Sequence, residues 1–115
     1  MESEDTTIKM IEGDYGTVLP IEILTEQELT ANDKFSIKIY KEINTEPVVS
    51  KEFSNIQNNI IEFKLIEQES KKLLVGKYIY DLDWYQDGVF LKNIIAKERF
   101  IVKEKAGIVV NENKN

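Results

Sequence analysis

The stretch Gly76-Lys77-Tyr78-Ile79-Tyr80-Asp81-Leu82-Asp83-Trp84-Tyr85 decides the fold. In an extended chain successive side chains point to opposite faces. Tyr78, Tyr80, Leu82 and Trp84 therefore share one face, and Lys77, Ile79, Asp81, Asp83 and Tyr85 share the other. Large apolar residues at period two mark a strand with one face in a core.

Working outward, the same period recurs in nearly every segment. Ile8 and Met10 flank Lys9, and Leu19, Ile21 and Ile23 alternate with Pro20 and Glu22. Pro20 has no N–H for a ladder, so its strand belongs at an edge or a bulge. Gly13-Asp14-Tyr15-Gly16 between them is a turn by composition. Residues 25–34 are polar and read as a loop. Phe35, Ile37 and Ile39 then share a face opposite Ser36, Lys38 and Tyr40. After a break at Asn44-Thr45-Glu46-Pro47 come a short strand with Val48, Val49 and Phe53 and, past Asn55 to Asn59, another with Ile61, Phe63 and Leu65. Glu67 to Leu74 is the one segment of helix-forming composition. A last strand is expected over Asn93 to Lys105, with Ile94, Ala96, Phe100 and Val102 inward and Glu98 out of pattern.

Seven short strands with turn signals between them predict an all-β fold, an immunoglobulin-like β-sandwich of about seven antiparallel strands with at most one short helix. A small barrel is the alternative. The sandwich is expected over residues 6–105, with flexible ends at 1–5 and 106–115; Val109 and Val110 could extend the last strand.

Parity adds a sharper expectation about the final hairpin. Residues paired across two strands lie on one face, so inward even-numbered residues in both strands require even sums. A two-residue loop at Asp87-Gly88 pairs Gln86 with Val89, which is odd. A bulge between Asp87 and Leu91 must then restore the register. The same parity sets Lys97 and Arg99 opposite Asp81 and Asp83 on the outer face, which predicts cross-strand ion pairs.

Composition narrows the chemistry. The 115 residues fit one domain, and one of this size buries roughly two-thirds of its unfolded surface. With no cysteine and no histidine there are no disulfides, no thiolate or imidazole ligands and no histidine base. A net charge of −6 with a single arginine, Arg99, argues against a nucleic-acid partner. No apolar run approaches a membrane span, and Met1-Glu2-Ser3-Glu4-Asp5 lacks the basic, then apolar, start of a secretion signal. The expectation is a non-enzymatic protein with no cofactor, no nucleic acid and no membrane.

Three clusters have residue types that a site could use. Read from Asp83, a calcium loop would match Asp83, Asp87 and Gly88, but Tyr85 and Ile94 fall where ligands belong. Glu67, Glu69, Lys71 and Lys72 read as a solvated helical face. The stripe of Tyr78, Tyr80 and Trp84 reads as core, which leaves Tyr40 and Tyr85, on the opposite parity, as the candidate exposed contact residues.

Gly76 two residues before Tyr78, at the start of the penultimate strand, resembles a tyrosine corner, in which the phenol hydroxyl bonds backbone a few residues upstream. The longer run Leu73-Leu74-Val75-Gly76-Lys77-Tyr78-Ile79-Tyr80-Asp81-Leu82-Asp83-Trp84 resembles the N-terminal immunoglobulin-like domain of phage baseplate upper proteins and related tail proteins of Gram-positive hosts. Phe100-Ile101-Val102 and Gly13-Asp14-Tyr15-Gly16 are similar to that family's last strand and opening turn. The resemblance implies a structural module of a phage or prophage tail or baseplate. It would be located in the virion, contact other virion proteins and assemble as a homo-oligomer, a trimer or hexamer by analogy. In that family a linker, helices and a host-directed region usually follow, so this sequence is expected to be a free-standing accessory protein or a truncated piece. A carbohydrate- or surface-binding adhesion module is the alternative.

Overall fold

The computed structural model describes residues 6–105. The expected flexible ends, 1–5 and 106–115, and the strand extension at Val109 and Val110 lie outside them. The described residues form seven strands and one helix: β1 (Ile8–Ile11), β2 (Leu19–Glu22), β3 (Asp33–Tyr40), β4 (Val49–Ser54), β5 (Ile60–Phe63), α1 (Glu67–Ser70), β6 (Gly76–Gln86) and β7 (Val89–Lys103). They make a five-stranded sheet, ordered β1-β7-β6-β3-β4, and a two-stranded sheet, β2-β5. The two sheets pack on a shared core, so the all-β expectation holds.

That core follows from the alternation. In the β3–β6 register Phe35 opposes Trp84, Ile37 opposes Leu82 and Ile39 opposes Tyr80, and all six side chains are buried. Burying each stabilises the fold by roughly 1.5–3 kcal/mol against leaving it in water. Phe63 of β5 meets Phe100 of β7 edge-on at 6.3 Å, which ties the small sheet to the large one. α1 is held to the core face of β4, where Lys51 pairs with Ile37, by an ion pair of 2.7 Å between Lys51 and Glu69. The same Glu69 carboxylate accepts the Ile66 N–H at 2.9 Å and so caps the helix start.

The sheet is not wholly antiparallel: β1 runs parallel to β7, with Ile8 opposite Phe100 and Ile11 opposite Lys103. Adjacent strands joined by tight turns must be antiparallel. β1 and β7 have the rest of the domain between them, so no turn dictates their sense.

The hairpin carries the expected irregularity and two more. Asp87 (φ 54°) and Gly88 (φ 79°) form a two-residue turn with both residues left-handed, and Gln86 pairs with Val89. One extra residue, Leu91, then intervenes before Trp84 pairs with Lys92. Further shifts follow between Asp83–Asn93 and Leu82–Ile95, and between Leu82–Ile95 and Tyr80–Glu98. They correct the sequence reading of this strand. β7 starts at Val89 rather than Asn93, Ala96 is exposed rather than inward, and Ile94 and Ile95 are both half-buried. Even-sum pairing holds at Trp84–Lys92 and Asp83–Asn93, is lost at Leu82–Ile95 and returns from Tyr80–Glu98 onward, and the buried even residues of β7 are Phe100 and Val102.

The expected ion pairs are also replaced. Lys97 adopts a φ of 52° and donates its backbone N–H to Asp81 at 2.7 Å. Asp83 accepts the Asn93 side-chain amide at 2.6 Å. Bulges take backbone donors out of the ladder; Asp81 satisfies one of them, the Lys97 N–H, and Asp83 takes a side-chain amide on the bulged strand, so neither acid pairs with the Lys97 ammonium or with Arg99.

Candidate functional site

The penultimate strand opens as its sequence suggests. Tyr78 donates its hydroxyl hydrogen to the Leu74 carbonyl at 2.9 Å, which pins the chain where it leaves α1 for the large sheet. Gly76 has a φ of 152°, and a Cβ there would stand 2.8 Å from the Lys41 ammonium. That ammonium sits 4.5 Å from the centre of the Tyr78 ring, so glycine makes room for a cation over an aromatic face. Removing only the Tyr78 hydroxyl, in Tyr78→Phe, is expected to cost about 0.5–1.5 kcal/mol in urea denaturation with the fold retained. An unchanged midpoint would show that the corner bond contributes nothing.

Tyr40 and Tyr85 lie on the outer face of the large sheet, away from the core. Both are half-buried, so neither stands out as the exposed contact residue expected from parity. Burial pushes the Tyr40 hydroxyl above its ordinary range; Lys38 opposes this, while Asp81, Asp83 and Tyr85 add to it. Tyr85 stacks edge-on against Phe90 at 5.8 Å. Among the described residues no three Asp or Glu side chains gather as a metal site, and no helix is long and apolar enough to cross a membrane.

The surface that stands out is the end of the molecule at the β6–β7 turn. Val89, Phe90 and Leu91 are 67%, 54% and 42% exposed there, three apolar residues in a row. The loop between β2 and β3 lies beside them, joined by the Asp87 N–H donating to the Asn32 carbonyl at 3.1 Å. Leu24, at the start of that loop, is 73% exposed and lines a groove with Lys92 and Ile94. The groove, about 570 Å³, runs between β2 and the bulged half of β7, over Tyr80 and Trp84. Exposed apolar residues thus lie on both faces of the hairpin tip, Phe90 beside Tyr85 on the outer one, and at the mouth of the groove, more than a strand with one face in a core requires.

One buried acid holds this end together. Asp33, at the first position of β3, is 2% exposed. Its Oδ1 accepts from Trp84 Nε1 at 2.9 Å and from Gln86 Nε2 at 3.1 Å. Its Oδ2 accepts from the Thr30 N–H at 2.8 Å and the Thr30 hydroxyl at 3.3 Å. Burial raises its carboxyl pKa, but these hydrogen bonds outweigh that and hold it below the usual value.

Sequence reading missed both features, although each left a signal. Val89-Phe90-Leu91 breaks the alternation, so at least one of the three had to face out. Asp33 sits two residues before Phe35 and shares its inward parity, whereas polar composition assigned it to a loop. Comparisons with protein-family models, with curated proteins and with solved structures find no match for this chain.

Proposed function

We propose that this chain is an immunoglobulin-like β-sandwich that serves as a non-enzymatic attachment module of a phage or prophage particle, in its tail or baseplate. The strand order supports the sandwich reading: β7, β6, β3 and β4 sit as G, F, C and C′ do in variable-type domains, and β2-β5 as B and E. The hydroxyl bond of Tyr78 to Leu74, at the corner before the F-like strand, supports it too. The virion assignment rests on the sequence resemblance around Gly76 and Tyr78.

The observation that carries the attachment reading is the apolar end formed by Val89, Phe90, Leu91 and Leu24. Two stretches of sheet edge, by contrast, are guarded against simple strand addition. Pro20 interrupts the donors of β2, and the free half of β7 is bulged and carries Lys92 and Lys97. Side-chain contacts at the end, rather than sheet extension, are therefore the mode of association. The partner would be another virion protein with an apolar recess, or a further copy of this chain.

The test is binding of the purified chain to tail and baseplate proteins encoded beside it, with sedimentation to report self-association. Phe90→Ala is expected to weaken the complex by roughly thirtyfold, as truncation of an aromatic anchor does, while leaving the melting temperature unchanged. Full binding by that variant would remove this end as the contact surface. Glycan binding lost in Tyr40→Ala or Tyr85→Ala would favour the adhesion reading instead.

A further inference from the structure

We infer that Asp33 is the positioning residue of the apolar end, each carboxylate oxygen holding a different element: Oδ1 the β6–β7 hairpin and Oδ2 the loop before β3. The hydrogen bonds divide cleanly. Trp84 and Gln86, both on β6, reach only Oδ1. Thr30, in the loop, reaches only Oδ2, through both its N–H and its hydroxyl. The loop side is a closed turn: the Asp33 N–H returns to the Thr30 carbonyl at 3.0 Å, and the Asn32 N–H reaches the Thr30 hydroxyl at 3.2 Å. Leu24 leads into this loop, and the turn bearing Val89 and Phe90 follows Gln86. Asp33, beside the backbone bond from the Asp87 N–H to the Asn32 carbonyl, thus sets the spacing between the two apolar components of the proposed contact surface.

The charged side chains on the elements that meet here include Lys34 on β3, Asp87 in the turn, Lys92 on β7, and Glu26 and Glu28 in the loop. All of these are exposed, and none of them contributes to the lowered pKa of Asp33. The pin works through hydrogen-bond acceptance, not through an ion pair.

This division makes Asp33→Asn a selective tool. An asparagine offers one acceptor oxygen and one donor amide in the same shape. With its oxygen toward Trp84 and Gln86, its amide group faces the Thr30 N–H, donor against donor. The hairpin stays held and the loop is released.

The experiment is amide and indole hydrogen exchange by NMR on the full chain, near neutral pH. In Asp33→Asn the Thr30 amide is expected to exchange at least about tenfold faster, while the Trp84 indole N–H keeps its protection. Trp84→Phe is the reciprocal variant: it keeps an aromatic ring against Phe35, removes one of the two Oδ1 donors together with part of the buried ring system, and leaves both Oδ2 bonds in place, so Thr30 should stay protected. A Thr30 amide unaffected by Asp33→Asn, or deprotected by Trp84→Phe, would overturn the two-sided pin. The link to binding rests on the attachment reading and is scored separately. Asp33→Asn should weaken the complex that Phe90→Ala weakens. Altered exchange with unaltered binding would uphold the pin and sink the attachment surface.

Discussion

Phe100→Ala is expected to remove about 3–5 kcal/mol of folding stability, the usual cost of emptying an aromatic site in a packed core. Phe100 is fully buried and touches both sheets: its ring meets Phe63 at 6.3 Å and Tyr80 at 6.2 Å. Its backbone stands between Ile8 of β1 and Tyr78 of β6. Neither neighbour can close the gap without leaving its own ladder. Domains of this size have only about 5–15 kcal/mol to lose, so the urea midpoint should fall by roughly a fifth or more. Phe100→Leu, which keeps most of the volume, should cost markedly less. A midpoint within experimental error of the parent would mean that the small sheet is not anchored through this ring.

Asp33→Ala is the second large effect. It leaves the Trp84 indole N–H, the Gln86 amide and the Thr30 N–H without their acceptor, and the first of these is fully buried. Buried donors without acceptors cost about 1–3 kcal/mol each, partly recovered where water enters, so a loss of about 2–4 kcal/mol is expected. The acid also predicts a pH dependence. Its folded pKa lies below the ordinary 3.8, so its ionised form is favoured by folding. The stability it contributes is therefore complete above that value and is lost as pH falls through the lowered folded pKa. The stability difference between the parent and Asp33→Asn should stay constant from about pH 5 to 8 and narrow only in acid, as denaturation at stepped pH would measure. A gap that widened on acidification would reverse the sign and exclude the ionised form as the folded species.

Alternation exposed the strands because each has one face in the core and one outside. Phe35, Ile37 and Ile39, like Tyr80, Leu82 and Trp84, could be assigned to a buried face for this reason alone, whereas the pairing of the two strands could not. Parity at Asp87-Gly88 required a bulge, and Leu91 supplies it. The two later bulges were illegible because side-chain patterning records only whether the register shift is odd or even. A second bulge undoes the first, and Ala96, small enough for either face, gives no sign of the slip. The parallel sense of β1 was hidden because Ile8 and Met10 alternate identically in either direction. The contact surface was the least legible part. An apolar residue facing a partner and one facing a core look alike in sequence, and only the length of the hairpin beyond the small sheet separates them.

The ladder joining β1 to β7 has a consequence for how the protein is made. Ile8 cannot meet Phe100 until nearly the whole described chain has been synthesised, and closing so long a loop delays this pairing behind the local hairpins. On the ribosome, β1 must therefore wait without its partner strand while β2 to β6 emerge. β7, which emerges after the other described strands, completes β1.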